Sequence, residues 1–204
     1  MNAQLERYTP SLNVGTALAS GSWRPDLNII CRLVPEGARV LDLGCGDGLL
    51  LTRLMAEKRV LGRGVELSEH GLRQCITKGL SVRQGNLDEG LADYPDGSFD
   101  VVILSLTLPY LDQPRWVLHE MGRVGNVAIV SFANMAYWRN RVAVLLGRES
   151  IECDLKDGPR ARPISLASFR RLCSELGLHV VQEAHTCAVL PDLLSDTGIF
   201  VVAR

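Results

Sequence analysis

The sequence has no Cys-x-x-Cys pair, and none of its six cysteines has a histidine beside it at metal-ligand spacing. A zinc ribbon and a redox dithiol are therefore not expected. Cys31, Cys75 and Cys173 stand among apolar residues, as small buried hydrophobes do. A chain of 204 residues can bury a sizeable core and needs no disulfide framework. No stretch of about 18 apolar residues occurs, so no membrane span is expected. Met1 to Thr9 carries Glu6 and Arg7 and no apolar run, so no secretory signal is visible and the cytoplasm is the default compartment. An excess of positive charge is missing too. The formal net charge is -1, whereas domains that grip a polyphosphate backbone are clearly basic, so no nucleic-acid partner is expected. Repeats, low-complexity tracts and signs of a second domain are absent as well.

What is present is an alternation of strand and helix patterns. Residues 1–23 are polar and irregular and read as a flexible arm or lid; residues 24–204 read as one domain. Arg24-Pro25-Asp26 opens a short amphipathic helix through Leu27, Ile30 and Leu33. Strands are expected at Arg39–Leu43, Val60–Glu66, Leu80–Gln84, Phe99–Leu104, Val127–Phe132, Val180–Thr186 and Ile199–Ala203. Helices fall between most of them. One follows Ser68 with Leu72, Cys75 and Ile76 as its buried stripe, one runs from Gln113 to Val124, and one carries Leu166, Phe169, Leu172, Cys173 and Leu176. Residues 137–147 look helical, and 148–164 look like an irregular connection. This order predicts an α/β fold with a mostly parallel seven-stranded sheet covered on both faces. The last two strands lack an intervening helix and should form an antiparallel hairpin at one edge.

In such sheets ligands bind beyond the carboxyl ends of the strands, where the strand order reverses. The turn after the first strand, Asp42-Leu43-Gly44-Cys45-Gly46-Asp47-Gly48, is therefore the first candidate site. The dinucleotide fingerprint requires a small residue three positions after its second glycine; here that position is Leu49, and the pattern fails. Asp42 and Asp47 would repel a pyrophosphate. They suit a ligand bearing an ammonium and a sulfonium. Glu66 ends the second strand 18 residues after Gly48, where a carboxylate either accepts ribose hydroxyls or caps the following helix. Gln84-Gly85-Asn86-Leu87-Asp88 ends the third strand, with Asn86 placed to pair with an adenine edge and Leu87 to cover the ring.

The runs VLDLGCGDG, GVELS and QGNLD resemble the first three cofactor motifs of class I methyltransferases. More narrowly, these runs with Arg24-Pro25-Asp26-Leu27, SFDVVILS, Thr107-Leu108 and SFAN…W-R-x-R resemble the methionine biosynthesis protein MetW family, over about residues 24–142. The resemblance implies a Rossmann-like methyltransferase fold and S-adenosylmethionine as cofactor. It assigns Asp42, Gly44, Cys45, Gly46, Asp47, Glu66, Leu67, Asn86, Leu87 and Ser105 to the cofactor site. It also implies a link to methionine biosynthesis, beside a homoserine O-acyltransferase as partner. Two roles stay open: methylation of a small molecule, or binding of the cofactor as a non-catalytic partner or activator of the acyltransferase. Departures from the family lie at Ala133, at Ala136-Tyr137-Trp138 and in Glu152–Pro163, which has no histidine or tryptophan.

The acceptor is expected beyond the fourth strand, near Ser105–Tyr110. That run lacks the Asn/Asp-Pro-Pro-Tyr motif of many amino-methylating enzymes. Tyr110 and Asp112 read either as substrate-orienting groups or as parts of an ordinary loop. His119 reads as a helix-surface histidine or a base. From Arg139 to Arg171 there are eight Lys or Arg and four Asp or Glu, a local excess that suits an anionic acceptor, an acidic partner surface or a solvated face.

Overall fold

The computed structural model describes residues 24–147, 161–185, 187 and 190–204. The anticipated lid at 1–23 and most of the expected connection at 148–164 lie outside those residues.

Helix α1 (Pro25–Leu33) begins with proline in its first turn, where a missing N–H leaves no bond unmade. It leads into β1 (Arg39–Leu43), α2 (Leu49–Lys58), β2 (Leu61–Glu66), α3 (Glu69–Thr77) and β3 (Val82–Gln84). A short 3-10 turn at Leu87–Glu89 precedes β4 (Phe99–Ser105), and another at Leu108–Tyr110 precedes α4 (Pro114–Val124). There follow β5 (Gly125–Ala133), α5 (Trp138–Leu145), α6 (Leu166–Glu175), β6 (His179–His185), the short α7 (Pro191–Leu194) and β7 (Thr197–Ala203). Every strand expected from sequence is present, with ends shifted by at most two residues.

Among the described residues seven strands form one sheet in the order β3-β2-β1-β4-β5-β7-β6. The first five pair in parallel; β7 runs antiparallel to both β5 and β6. The expected antiparallel pair closes one edge, although the short helix α7 lies between its two strands where no helix was expected. Its outer member is β6, and the C-terminal β7 lies inside, between β5 and β6.

Strand periodicity sends alternate residues to opposite faces. Val101 and Ile103 of β4 join Val40 and Ile129 on the face covered by α1 and α2, with Ile30, Leu33, Leu51 and Leu54. Val102 and Leu104 join Leu41, Leu43 and Val130 on the face covered by α4 and α6. Inward Val117, Met121 and Val124 of α4 are fully buried, as their spacing predicts. Each such side chain contributes about 1.5–3 kcal/mol by leaving water. Phe132, Phe169 and Phe200 meet with ring centroids 4.7–5.7 Å apart and lock α6 onto β5 and β7. Cys31, Cys75 and Cys173 are buried free thiols.

Helix α3 departs from expectation. Its buried residues are Gly71 and Cys75, whereas Ile76 is 60% exposed and Leu72 only half-buried. The cause is close approach: a Cβ on Gly71 would lie 2.8 Å from the Gly46 carbonyl oxygen and 3.0 Å from Glu66 Cγ. The helix touches the glycine-rich turn through its backbone, and there is no room there for an apolar stripe. Among the described residues no helix is long and apolar enough to cross a membrane.

Candidate functional site

Strand β1 pairs with β2 on one side and β4 on the other, so the order of the sheet reverses beside its carboxyl end. There the chain turns through Gly44–Gly48 into α2. Gly44 and Cys45 donate backbone N–H bonds to the Val65 carbonyl at 2.8 and 3.2 Å, and Gly48 donates to Cys45 at 2.9 Å. Gly44 has φ 68°, and a Cβ there would stand 2.7 Å from Thr107 Oγ1. Gly48 has φ 75°, and a Cβ would stand 2.9 Å from Cys75 Sγ and also strike Leu80. Only glycine fits both. Gly46 differs, because a Cβ there would meet nothing within 4 Å. The turn is packed from below and open above.

The opening leads to a cleft of about 200 Å³. Of the sequence-predicted residues, Asp42, Gly44, Cys45, Gly46, Asp47 and Ser105 line it, together with Arg24, Leu27, Leu49 and Leu50. Glu66, Leu67, Asn86 and Leu87 lie outside that lining. Glu66 is buried, and its two carboxylate oxygens accept from the Gly46 N–H at 2.7 Å and the Ser68 N–H at 2.8 Å. It thus ties the glycine turn to the start of α3, and each oxygen keeps a further lone pair. Asn86 Oδ1 accepts from the Asp88 N–H at 3.1 Å and caps the 3-10 turn. Leu87 belongs to the core beneath the sheet, while Leu67 is 63% exposed, so the accessible apolar surface near these strand ends is Leu67.

The electrostatics single out Asp42. Its side chain is buried and accepts no hydrogen bond from any described residue. Burial raises its carboxyl from the ordinary range to about 7; the Arg24 charge works the other way, and Glu66 adds to the rise. Asp47 is different. Partial desolvation opposes its ionisation, but Lys78 Nζ at 3.0 Å and the Leu49 N–H at 3.1 Å outweigh that and hold it below the usual carboxylate range. The two carboxylates read as a joint cation trap are therefore unequal: Lys78 engages one and leaves Asp42. Cys45, packed 3.8 Å from Cys75 Sγ, is kept protonated by burial first and by neighbouring Asp42 second. It is a wall, not a nucleophile.

The same lining carries Arg24. Its Nε and Nη2 grip both oxygens of the buried Asp26 at 3.0 and 2.7 Å, and Nη2 also donates to Ser105 Oγ at 3.0 Å. Ser105 Oγ donates to Asp26 at 3.3 Å and accepts from buried Ser131 Oγ at 3.2 Å. A network from α1 to the ends of β4 and β5 thus fixes the guanidinium.

The family model described as "Methionine biosynthesis protein MetW" matches residues 24–202. The chain belongs to the MetW family. It is 34% identical over 172 residues to a bifunctional methionine biosynthesis protein MetXA/MetW from Rhodopirellula baltica, a match covering 78% of this chain and 28% of that protein. An uncharacterized methyltransferase from Mycobacterium bovis is 33% identical over 107 residues, covering 49% of this chain and 54% of that one. The chain thus spans about half or less of these relatives' length. Among solved structures, an S-adenosylmethionine dependent methyltransferase from Mesorhizobium loti superposes with TM-score 0.67 at 18% identity, over 90% of this chain and 99% of the other. That likeness establishes a Rossmann-like class I methyltransferase fold.

Arg24 and Leu27 belong to the same short run that carries the MetW resemblance, yet spacing alone did not mark them as cleft residues. Only the fold brings them onto the same cleft as Asp42. Beyond β4, Leu106 adopts φ 57°, a conformation that costs a non-glycine residue about 1–3 kcal/mol. Its N–H bonds the Ser131 carbonyl at 2.9 Å and is held there. Tyr110 follows, 53% exposed. Arg162 donates its N–H to the Pro109 carbonyl at 2.8 Å and its guanidinium to the Asp112 carbonyl at 3.0 Å, pinning this loop. His119 stacks on Trp116 at the surface, and none of the four histidines lines the cleft. The lining offers no imidazole base.

Proposed function

We propose that this MetW-family chain binds S-adenosylmethionine in the cleft above the glycine turn and transfers its methyl group to a small molecule. The observation that carries the reading is Asp42, a buried carboxylate on the cleft lining without a hydrogen-bond donor among the described residues. A buried anion of that kind is stabilised by a cation. Asp42 would accept the ligand's ammonium, and the remaining lone pairs of Glu66 would take ribose hydroxyls. Leu67 would cover the adenine in place of Leu87, with Asn86 at its edge. When bound, S-adenosylmethionine supplies a methyl group already activated by its sulfonium. Positioning then provides much of the rate, which suits a lining without an imidazole. The strained Leu106 and exposed Tyr110 mark the side from which the acceptor would approach. The methyltransferase-named relative supports the reading. Incubation with S-adenosylmethionine and a pool of small metabolites is expected to yield S-adenosylhomocysteine above the protein-free control; binding without turnover on any metabolite fraction would leave only a sensor.

The Rhodopirellula relative joins a MetXA part and a MetW part in one polypeptide, by its name. That supports a second, compatible proposal: this chain acts in methionine biosynthesis beside a homoserine O-acyltransferase. Co-purification of the two, with a changed acyl-transfer rate on mixing, is the expected result.

A further inference from the structure

Helix α5 carries its apolar side outward. None of its residues is buried. A turn of about 100° per residue brings Trp138, Val142, Leu145 and the C-cap Leu146 onto one stripe. Leu145 is 84% exposed and Leu146 66%, so the stripe lies in water. The half-buried Asn140 and Ala143 face the body of the protein instead.

Hydrogen bonds hold the helix in this pose. Asn134, buried just past β5, accepts from Asn140 Nδ2 at 3.3 Å through its carbonyl and from the Ala136 N–H at 3.0 Å through Oδ1. Its own Nδ2 donates to the Ser195 carbonyl at 2.9 Å, and Arg141 Nε donates to the Ala136 carbonyl at 2.8 Å. The polar side is thus fastened to the domain. A contiguous apolar stripe left exposed marks a surface that another molecule covers.

Charge indicates which molecule. A helix is stabilised by anions at its N-terminal end and by cations at its C-terminal end. Helix α5 has no acidic residue in its first turn and no basic one in its last, while the exposed Arg139 and Arg141 flank the stripe near its N-terminal end. That placement is unfavourable for the helix alone. It becomes favourable when a second α5 lies antiparallel across the stripe, because each Arg139 then meets the carbonyl end of the other helix. The stripe matches itself in the same arrangement. About a two-fold axis at Val142, Trp138 of each copy meets Leu145 and Leu146 of the other, as a two-fold contact requires.

We infer that α5 is the two-fold interface between two copies of this chain, the helices antiparallel, with Val142 at the axis and each Arg139 at the C-terminal end of the opposite helix. One short helix per copy buries less than the roughly 800 Å² a side of a standard interface, so the dimer is weak, with a Kd of about 10–100 µM. It forms whatever the cleft binds.

Sedimentation equilibrium of the full chain between about 1 and 300 µM is the test. Wild type is expected to pass from monomer to dimer within that range and to go no further. Leu145→Asp should stay monomeric throughout. Arg139→Glu leaves the stripe intact and should weaken the dimer about tenfold, an effect that added salt diminishes. Thermal melts at about 1 µM, where all three proteins are monomeric, should agree within a few degrees, because both substituted side chains are exposed. A monomer at every concentration would overturn the inference, whatever else the stripe then binds, vesicles of phosphatidylglycerol or the acyltransferase included. So would a dimer that Leu145→Asp leaves intact. A dimer equally tight in Arg139→Glu would overturn the antiparallel arrangement.

Discussion

At the scale of single residues, Asp42 links stability to ligand binding. Its folded value of about 7 lies above the unfolded value of 3.8, so the unfolded chain releases this proton first. The ligand-free protein should therefore lose stability as pH rises from about 4 through 7. Asp42→Asn is expected to raise the free energy of unfolding at pH 8 by about 2–4 kcal/mol and to change it little at pH 4, read by urea denaturation. Glu66 makes a different prediction. Glu66→Ala removes the acceptor of the Gly46 N–H and should weaken S-adenosylhomocysteine binding at least about tenfold, since a charged bond that orders the turn is lost. That Asp42, Gly44, Gly46 and Asp47 share one turn was legible because the motif is contiguous. Arg24 was not, because it lies 18 residues before Asp42 and meets the cleft only after folding. The Lys78 partner of Asp47 was hidden for the same reason, being 31 residues away. From sequence, Leu87 covers the ring, whereas the fold buries Leu87 in the core and exposes Leu67, because a side chain at a strand end has no fixed side.

Among the elements, α3 shows how a hydrophobic pattern misleads. Spacing made Leu72, Cys75 and Ile76 a stripe, but the helix approaches the glycine turn too closely for large side chains. Gly71→Ala is expected to cost about 1–3 kcal/mol and to weaken ligand binding, as the new methyl meets the Gly46 carbonyl. Ile76→Lys should stay within about 0.5 kcal/mol, as a change at an exposed site. Paired thermal melts of the two variants decide between the stripe and the contact. The strands were legible to within two residues at their ends and most helices by their proline or serine starts, but the short α7 (Pro191–Leu194) was not, since it lies where the sequence reads as a loop between the last two strands. Leu106 was not legible, since nothing in its neighbours calls for a positive φ. Its conformation is imposed by the bond to Ser131.

For the whole molecule, the alternation of strands and helices carried the parallel sheet and its site beyond the strand ends. The hairpin was also legible, but not the insertion of β7 between β5 and β6. That placement depends on apolar faces far apart in the chain: Phe200 of β7 meets Phe132 of β5 and Phe169 of α6. Phe169→Ala should cost about 3–5 kcal/mol in unfolding free energy by opening a cavity in this cluster, with little effect on ligand affinity at temperatures where the protein stays folded. The site and the cluster are separable, because the glycine turn is built by β1, β2 and α3. One titration tests the central claim most directly: S-adenosylhomocysteine into wild type and Asp42→Asn, at pH 8 and pH 6. Wild type is expected to bind with a submillimolar Kd at pH 8 and about tenfold more weakly at pH 6, as Asp42 takes up its proton. Asp42→Asn should bind far more weakly at both values and without that pH dependence. Binding by Asp42→Asn as tight as wild type at both values would contradict the account.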